Sequence, residues 1–503
     1  MKPQQHVLKR RTLLAAMAGV PLLVGLSACA GGSQTASSDA SGRIKLAMLQ
    51  PPRSALTPFS DDAFKLSRWS TAEPLILLDE NGDPEPLLAT SWEQTDGRTW
   101  RFTIREDVTF HDGAALDAAA VVTALRAAID ASPKPRILDG VEMEVEEVDP
   151  RTVQVRTADV DPLVPGRLSS PQLVILSPEA YAGPTVSPVG RGTGAFELTE
   201  VDGTTAATLE RYEDYWGERA AAAGIDVSFV PDGTARGAAL RTGEAQLVEA
   251  IPVSQVALLD EGLVHEVPMP RTNTLYLNVT SPTFSDPAMR AVVREAVDRE
   301  GLVASVYEGH ADAASGLLGP AVPWAAELRE EPRYRPAGEP SGQSVTIGTF
   351  TDRSELPEVA VALETALEQR GFEVEQDVRE YANIEQDALD GAFDIFILSR
   401  ATILDSGDPV AYMVSDFGSK GSFNLSQIDD PAVDEALKAA SAAPVGEERR
   451  RAIMAAERVI LETDAAIPLL HERVIQGEAE NLSGALRDPR ERALVDSRTE
   501  IGS

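Results

Sequence analysis

Phe393-Asp394-Ile395-Phe396-Ile397-Leu398, followed after a short gap by Asp405-Ser406-Gly407-Asp408-Pro409, is the stretch that decides the architecture. A short apolar run closed by Asp, Gly and Pro predicts a strand buried on both faces, as in parallel sheets. Upstream, residues 345–350 read as another strand, 356–370 as a helix stopped by Gly371, and 372–375 as a strand. Downstream, residues 447–462 form an amphipathic helix with Ile453, Ala456, Val459 and Ile460 on one side. Toward the N-terminus, 44–49 reads as a first strand. Residues 100–105 alternate with period two, as a half-buried strand does, and 152–156 is a further strand. Residues 117–129 carry Val121, Val122, Leu125 and Ile129 at helical spacing, with Asp117 as N-cap. Strands alternating with helices define an α/β protein.

The chain has 503 residues, 43% hydrophobic and 25% charged, enough for two to four domains with a sizeable core. It carries 45 basic and 80 acidic residues, a formal charge of −35. That balance argues against a nucleic-acid partner, which requires a basic face. It also argues against loose adhesion to anionic lipid.

The single cysteine excludes a disulfide framework and a CxxC metal or redox site. Its position is informative. Residues 1–28 contain Lys2, Lys9, Arg10 and Arg11 and no acid, and residues 13–28 are almost wholly apolar or small. This is the pattern of a signal peptide, and it falls short of the roughly 20 residues a bilayer span needs. Leu26-Ser27-Ala28-Cys29 resembles a bacterial lipobox, in which cleavage precedes the cysteine and its sulfur is acylated. Two or more acyl chains hold a protein stably on a membrane. Arg10-Arg11 fits either a twin-arginine signal or the basic n-region of general secretion. Residues 29–42 are small and polar and read as a flexible tether.

Four blocks, in order along the chain, resemble the extracytoplasmic solute-binding proteins of peptide- and nickel-importing ABC transporters, family 5. The first is Ala72-Glu73-Pro74-Leu75, then Leu88-Ala89-Thr90-Ser91-Trp92, then Trp100-Arg101-Phe102-Thr103-Ile104-Arg105 and Phe110-His111-Asp112-Gly113. The second is Pro188-Val189-Gly190-Arg191-Gly192-Thr193-Gly194-Ala195-Phe196 with Arg211-Tyr212-Glu213-Asp214-Tyr215-Trp216-Gly217. Its loop departs from the family pattern by an insertion and a lost proline. The third is Leu275-Tyr276-Leu277-Asn278-Val279 with Phe284-Ser285-Asp286-Pro287 and Arg294-Glu295-Ala296-Val297-Asp298-Arg299-Glu300. The fourth is Gly391-Ala392-Phe393-Asp394, Asp405-Ser406-Gly407-Asp408-Pro409 and Ile467-Pro468-Leu469-Leu470. The resemblance implies a periplasmic-binding-protein-like fold, type II, two lobes with an inserted extra domain. On that pattern lobe I is 43–70, 186–268 and 471–503, the inserted subdomain is 71–185, and lobe II is 269–470. The lobe crossings fall near residues 268–271 and near Leu470.

The resemblance also implies a lipid-anchored monomer outside the membrane that captures a di- or oligopeptide and delivers it to the permease subunits of an ABC importer, without cofactor or bond chemistry. A nickel chelate or similar metallophore is the alternative cargo. An extracellular hydrolase is the rival from another class. It is opposed by the absence of GxSxG, HExxH and GxxxxGK[ST] motifs and by the scattering of His6, His111, His265, His310 and His471.

Asp405 is the leading ligand candidate. It follows a buried strand, where open α/β sheets bind ligands. A similar segment in the dipeptide-binding branch supplies the carboxylate for the peptide's α-amino group. Asp408 either joins it or shapes the turn. Arg353, just after a strand, is expected to pair with a ligand carboxylate, with Arg400 as a second candidate, because a guanidinium forks onto a carboxylate. Trp69, Tyr276 and Asn278 could line the cleft or serve the core. His111 is expected to stabilise its turn, and Gly190, Gly192 and Gly194 a tight turn rather than a phosphate loop.

Overall fold

The computed structural model describes residues 42–353, 355–403 and 406–502. The leader with Cys29, and Asp405, lie outside them. Among the described residues no helix is long and apolar enough to cross a membrane.

An eleven-stranded sheet runs through the described chain. From one edge its order is Glu373–Arg379, Ser344–Phe350, Ile395–Ala401, Val264–Leu277, Ala466–Glu478, Leu247–Val248, Arg43–Met48, Gly224–Phe229, Ala206–Arg211 and Phe196–Asp202. Ala311–Ala313 pairs at the side with Ala466–Glu478. The deciding strand, Ile395–Ala401, is parallel to Ser344–Phe350 on one side and antiparallel to Val264–Leu277 on the other. It begins and ends later than the apolar run suggested. Asp394 stays outside it, with its carboxylate taking the Thr346 amide at 2.9 Å. Polar Ser399 and Arg400 continue it because each side chain has an acidic partner, Glu472 and Asp416.

Local signals act as their chemistry dictates. Asp117 caps Ala118–Ile129 by accepting the Ala120 amide at 2.8 Å. Helix Glu355–Arg370 stops at Gly371, whose φ of +99° disfavours any residue with a Cβ. Gly192 and Gly194 are needed for close approach: a Cβ on either would sit 1.8 or 2.1 Å from the Thr71 or Ser70 carbonyl oxygen. Helix Glu447–Leu461 buries Ile453, Ala456 and Ile460 as its periodicity requires, but also Arg449 and Glu457. Arg449 reaches Asp408 at 2.5 Å. Glu457 takes the Leu317 and Leu318 amides and the Arg329 guanidinium.

The apolar interior divides. One core fills the region between Leu275 and Leu470. A second lies under the separate four-stranded sheet of Ala89–Asp96, Thr99–Ile104, Thr152–Thr157 and Met143–Asp149, covered by Ala118–Ile129. A third joins Ile44, Trp69, Phe196 and Leu209 with the C-terminal Leu494 and Val495. The long strands Val264–Leu277 and Ala466–Glu478 run from the first core to a fourth, smaller cluster of Ala47, Leu240, Ala245, Val248, Ile251 and Ile475. Their antiparallel register is broken between Pro268↔Arg473 and Thr272↔His471, so residues 269–271 oppose the single residue 472. A bulge of this kind bends a strand pair. The Asp79–Asp83 turn touches the first core's edge: Trp324 donates its indole N–H to the Asn81 carbonyl at 3.1 Å, and Arg450 pairs with Asp83 at 2.5 Å.

The block motifs are structural ties. Glu73 is buried and accepts from Thr193 at 2.7 Å, Tyr215 at 2.9 Å and Trp216 at 3.0 Å. His111 contacts the Gly194 carbonyl through Nε2 at 2.9 Å and sits edge-on to Tyr212. Because a carbonyl only accepts, Nε2 carries the proton. His471 contacts the Thr272 hydroxyl through Nδ1 at 2.9 Å, and that hydroxyl donates to the Leu317 carbonyl. Nδ1 is therefore the protonated nitrogen of a neutral ring.

Burial lowers the pKa of both imidazoles to about 4, only partly offset at His111 by the Gly194 carbonyl; at His471 the Arg329 charge adds to it. A folded-state pKa below the ordinary 6.5 gives stabilisation that is complete above pH 6.5 and lost as pH falls toward 4. At about 1.4 kcal/mol per unit, each ring accounts for a loss of up to about 3 kcal/mol. Thermal melts should show a steeper fall between pH 7 and 4.5 for the natural chain than for His471→Gln. Equal slopes would refute this account.

Candidate functional site

A cleft of about 900 Å³ opens where several strands end. Leu49 and Gln50 follow Arg43–Met48, Ala250 to Val253 follow Leu247–Val248, Phe350 to Arg353 follow Ser344–Phe350, and Leu398 to Ala401 close Ile395–Ala401. Carboxyl ends of strands are where open α/β sheets bind ligands. The floor is the bulge, with Met269, Arg271 and Glu472, and the paired strand beside it, with Val474 and Ile475. Tyr307 and Tyr381 add aromatic surface.

Arginine dominates the cleft's charged groups. Most guanidiniums are already engaged. Arg353 pairs with Glu472 at 2.7 Å, and Glu472 also accepts from Ser399 at 2.5 Å and Asn273 at 3.3 Å. Arg400 forks onto the buried Asp416 with two contacts of 2.8 Å and lies 4.2 Å over the Phe423 ring. Burial opposes its charge, but the Asp416 carboxylate outweighs burial and raises its pKa. Arg473 pairs with Glu266 and Asp312, and Arg136 with Asp61. Arg236 is buried and donates to four backbone carbonyls, of Val230, Pro231, Glu249 and Ala250. That clamp holds Ala250, whose φ is +52°, at the cleft wall.

Arg271 differs. Its guanidinium makes no hydrogen bond or ion pair among the described residues, a property shared in this cleft by Arg53, which unlike Arg271 is exposed. Burial lowers its pKa, and the nearby charges of Arg353 and Arg400 push in the same direction against the pull of Glu472 and Glu491. Acids also face the space: Asp352, which accepts the Tyr381 amide at 2.7 Å, and Glu355. No group of three or more His, Cys, Asp or Glu among the described residues is arranged to hold a metal ion.

Of the residues singled out from sequence, Arg353 and Arg400 line the cleft. Four others are placed elsewhere. Trp69 is fully buried, with its indole nitrogen 3.1 Å from the Met48 sulfur. Tyr276 is 1% exposed, stacks on Phe417 and donates to Asp416 at 3.2 Å, so it supports Arg400 from behind. Asn278 donates to the Gly391 carbonyl at 3.0 Å and caps Thr280 at 2.9 Å. Asp408 accepts the Val410 amide at 2.9 Å and pairs with Arg449, shaping a helix start. Their large or polar side chains satisfy core needs that a family pattern cannot separate from ligand contacts. Sequence reasoning placed Arg271 only at a lobe crossing. The available signal was a lone cation in the Pro-rich run Val267-Pro268-Met269-Pro270-Arg271-Thr272, with no acid beside it.

The Asp408 placement has a testable consequence. Asp408→Asn strips a buried cation of its counter-charge, which typically costs about 3–5 kcal/mol. The melting temperature should drop while ligand affinity, measured below the transition, is unchanged. An affinity loss without destabilisation would return Asp408 to the binding site.

The sequence profile of "Bacterial extracellular solute-binding proteins, family 5 Middle" matches residues 83–424. The chain is similar to the glutathione-binding protein GsiB of Salmonella paratyphi A, 27% identical over 440 residues covering 82% of this chain and 85% of that protein. Its structure is similar to the nickel ABC transporter protein from Bacillus halodurans, with TM-score 0.79 and 24% identity over 92% of this chain and all of that one. It is also similar to the periplasmic binding protein DppA from Helicobacter pylori in complex with peptide STSA, with TM-score 0.70 and 20% identity, covering 92% and 98% of the two chains. At these identities the structural likenesses speak for the fold: mixed α/β, of the periplasmic-binding-protein kind.

Proposed function

The chain belongs to the bacterial extracellular solute-binding proteins of family 5, a substrate-binding protein of an ABC importer acting outside the cytoplasm and not an enzyme; from that premise we propose that its cargo is a di- or oligopeptide. The carrying observation is the cleft itself: about 900 Å³, at strand ends, walled by guanidiniums and carboxylates together. A zwitterionic backbone with variable side chains fits a wide, bipolar space better than a small apolar solute does. Support comes from relatives: one is a glutathione-binding protein, and another was solved with a peptide.

In this reading Asp405 pairs with the α-amino group through a charge-assisted hydrogen bond. In sequence it lies between Ala401, in the cleft wall, and Ser406. Lobe I is 43–70, 186–268 and 471–503, the inserted subdomain 71–185 and lobe II 269–470. The division of the cores and the bulge at residues 269–271 support a hinge there. Closure buries the peptide, and the closed form is what the permease receives. Cys29 carries the lipid after the leader is cut, and the leader directs export by the twin-arginine or the general route. A second reading is a nickel chelate bound through the chelator's carboxylates. The arginine-rich walls and the nickel-protein neighbour favour it.

A thermal-shift panel on the full chain in detergent tests the cargo. It holds di- to pentapeptides, their N-acetyl forms, and Ni²⁺ with and without histidine. Ligand at a hundred times its Kd adds about 2.7 kcal/mol, a rise of a few degrees. Free peptides should raise the melting temperature, N-acetyl peptides should not, and Asp405→Ala should abolish the rise. A shift confined to metal plus chelator would replace the peptide reading by the chelate one.

A further inference from the structure

Among the described residues, two cleft guanidiniums make no hydrogen bond or ion pair: Arg53, which is exposed, and Arg271, which is partly buried on the floor. Arg353 and Arg400, the cations a sequence reading would assign to a ligand carboxylate, are held by Glu472 and Asp416. Arg236 is spent on four carbonyls. Arg271 stands on the bulge where the crossing strands lose register, partly buried, repelled by Arg353 and Arg400 and attracted by Glu472 and Glu491 without pairing with either acid. A cation in such a place is unfavourable until an anion arrives, since a desolvated charge needs a partner.

We propose that Arg271 is the specificity-determining anchor of the cleft, forming an oxyanion subsite that requires the ligand to present a carboxylate at the hinge. The subsite rests on the peptide reading for the ligand's identity, not for its own existence. A carboxylate there takes a bidentate contact from Arg271 and relieves the repulsion from Arg353 and Arg400. It enters at the strand bulge, so neutralisation occurs where the two halves of the sheet meet. Arg353 and Arg400 then act as fixed walls, their geometry set by Glu472 and Asp416.

The test compares the full chain with Arg271→Gln, using free-acid and C-amidated versions of each peptide that binds, with inorganic phosphate as a probe independent of peptide. In the natural chain, amidation should weaken binding by about 100-fold, roughly two decades of Kd for a lost charge pair. In Arg271→Gln, free-acid and amidated peptides should bind alike, at the amidated level. Millimolar phosphate should raise the melting temperature of the natural chain and not of the variant. The unliganded variant should melt at the same temperature or higher, because a repelled charge has been removed; a merely structural arginine would lower it. Equal binding of acid and amide by the natural chain overturns the proposal, as does an equal loss of both in the variant. If the peptide panel is flat but phosphate protection depends on Arg271, the subsite stands and the peptide reading fails. If neither peptide nor phosphate responds to Arg271→Gln, the subsite is overturned.

Discussion

Everything in this molecule hangs on the antiparallel pairing of Val264–Leu277 with Ala466–Glu478. These two strands are the middle of one sheet, and separate hydrophobic cores are built on their opposite ends. Backbone hydrogen bonds resist sliding, but the break in register at residues 269–271 removes several of them at one level. The sheet is therefore continuous across both halves, with its pairing interrupted at the bulge. The cleft lies at the interruption because strand ends converge there from both sides.

The charge distribution follows a second logic. The chain is strongly acidic, at −35, yet the cleft is crowded with arginine. Two of those cations, Arg400 and Arg353, are fixed by the buried carboxylates Asp416 and Glu472, which themselves could not remain in the interior unpaired. The acids hold the cations in geometry, and the geometry is what a ligand meets. An acidic exterior does not steer an anion inward. At physiological salt, though, screening reduces outside charges beyond about 8 Å, so the interior field governs the last steps.

The sequence made the fold legible where its signals were local or periodic: the apolar run that became Ile395–Ala401, Asp117 as a cap, Gly371 as a stop. The family blocks were legible for a different reason. Glu73, Thr193, Tyr215 and Trp216 form one buried cluster from distant segments, so each is constrained by the others. That is why the pattern identified the family and why it left Trp69, Tyr276 and Asn278 open between cleft and core: residues that hold a core look, in one sequence, like residues that hold a ligand. Arg271 went unread because its importance is a lack of partners. Which guanidinium is left over depends on which acids fold beside the others, a fact of tertiary packing alone.

The Asp79–Asp83 turn contacts Trp324 and Arg450 of the first core's region. They tie the second core to the first without any ligand. If, as proposed, the two sides hinge at the bulge, such a tie biases the equilibrium before cargo arrives, and the apparent affinity is the intrinsic one scaled by the population able to accept it. Weakening these rim contacts would change how tightly every cargo is held, by the same factor, while leaving the ranking among cargoes untouched. Affinity and selectivity are thus written into different parts of the chain, and each is free to drift without the other.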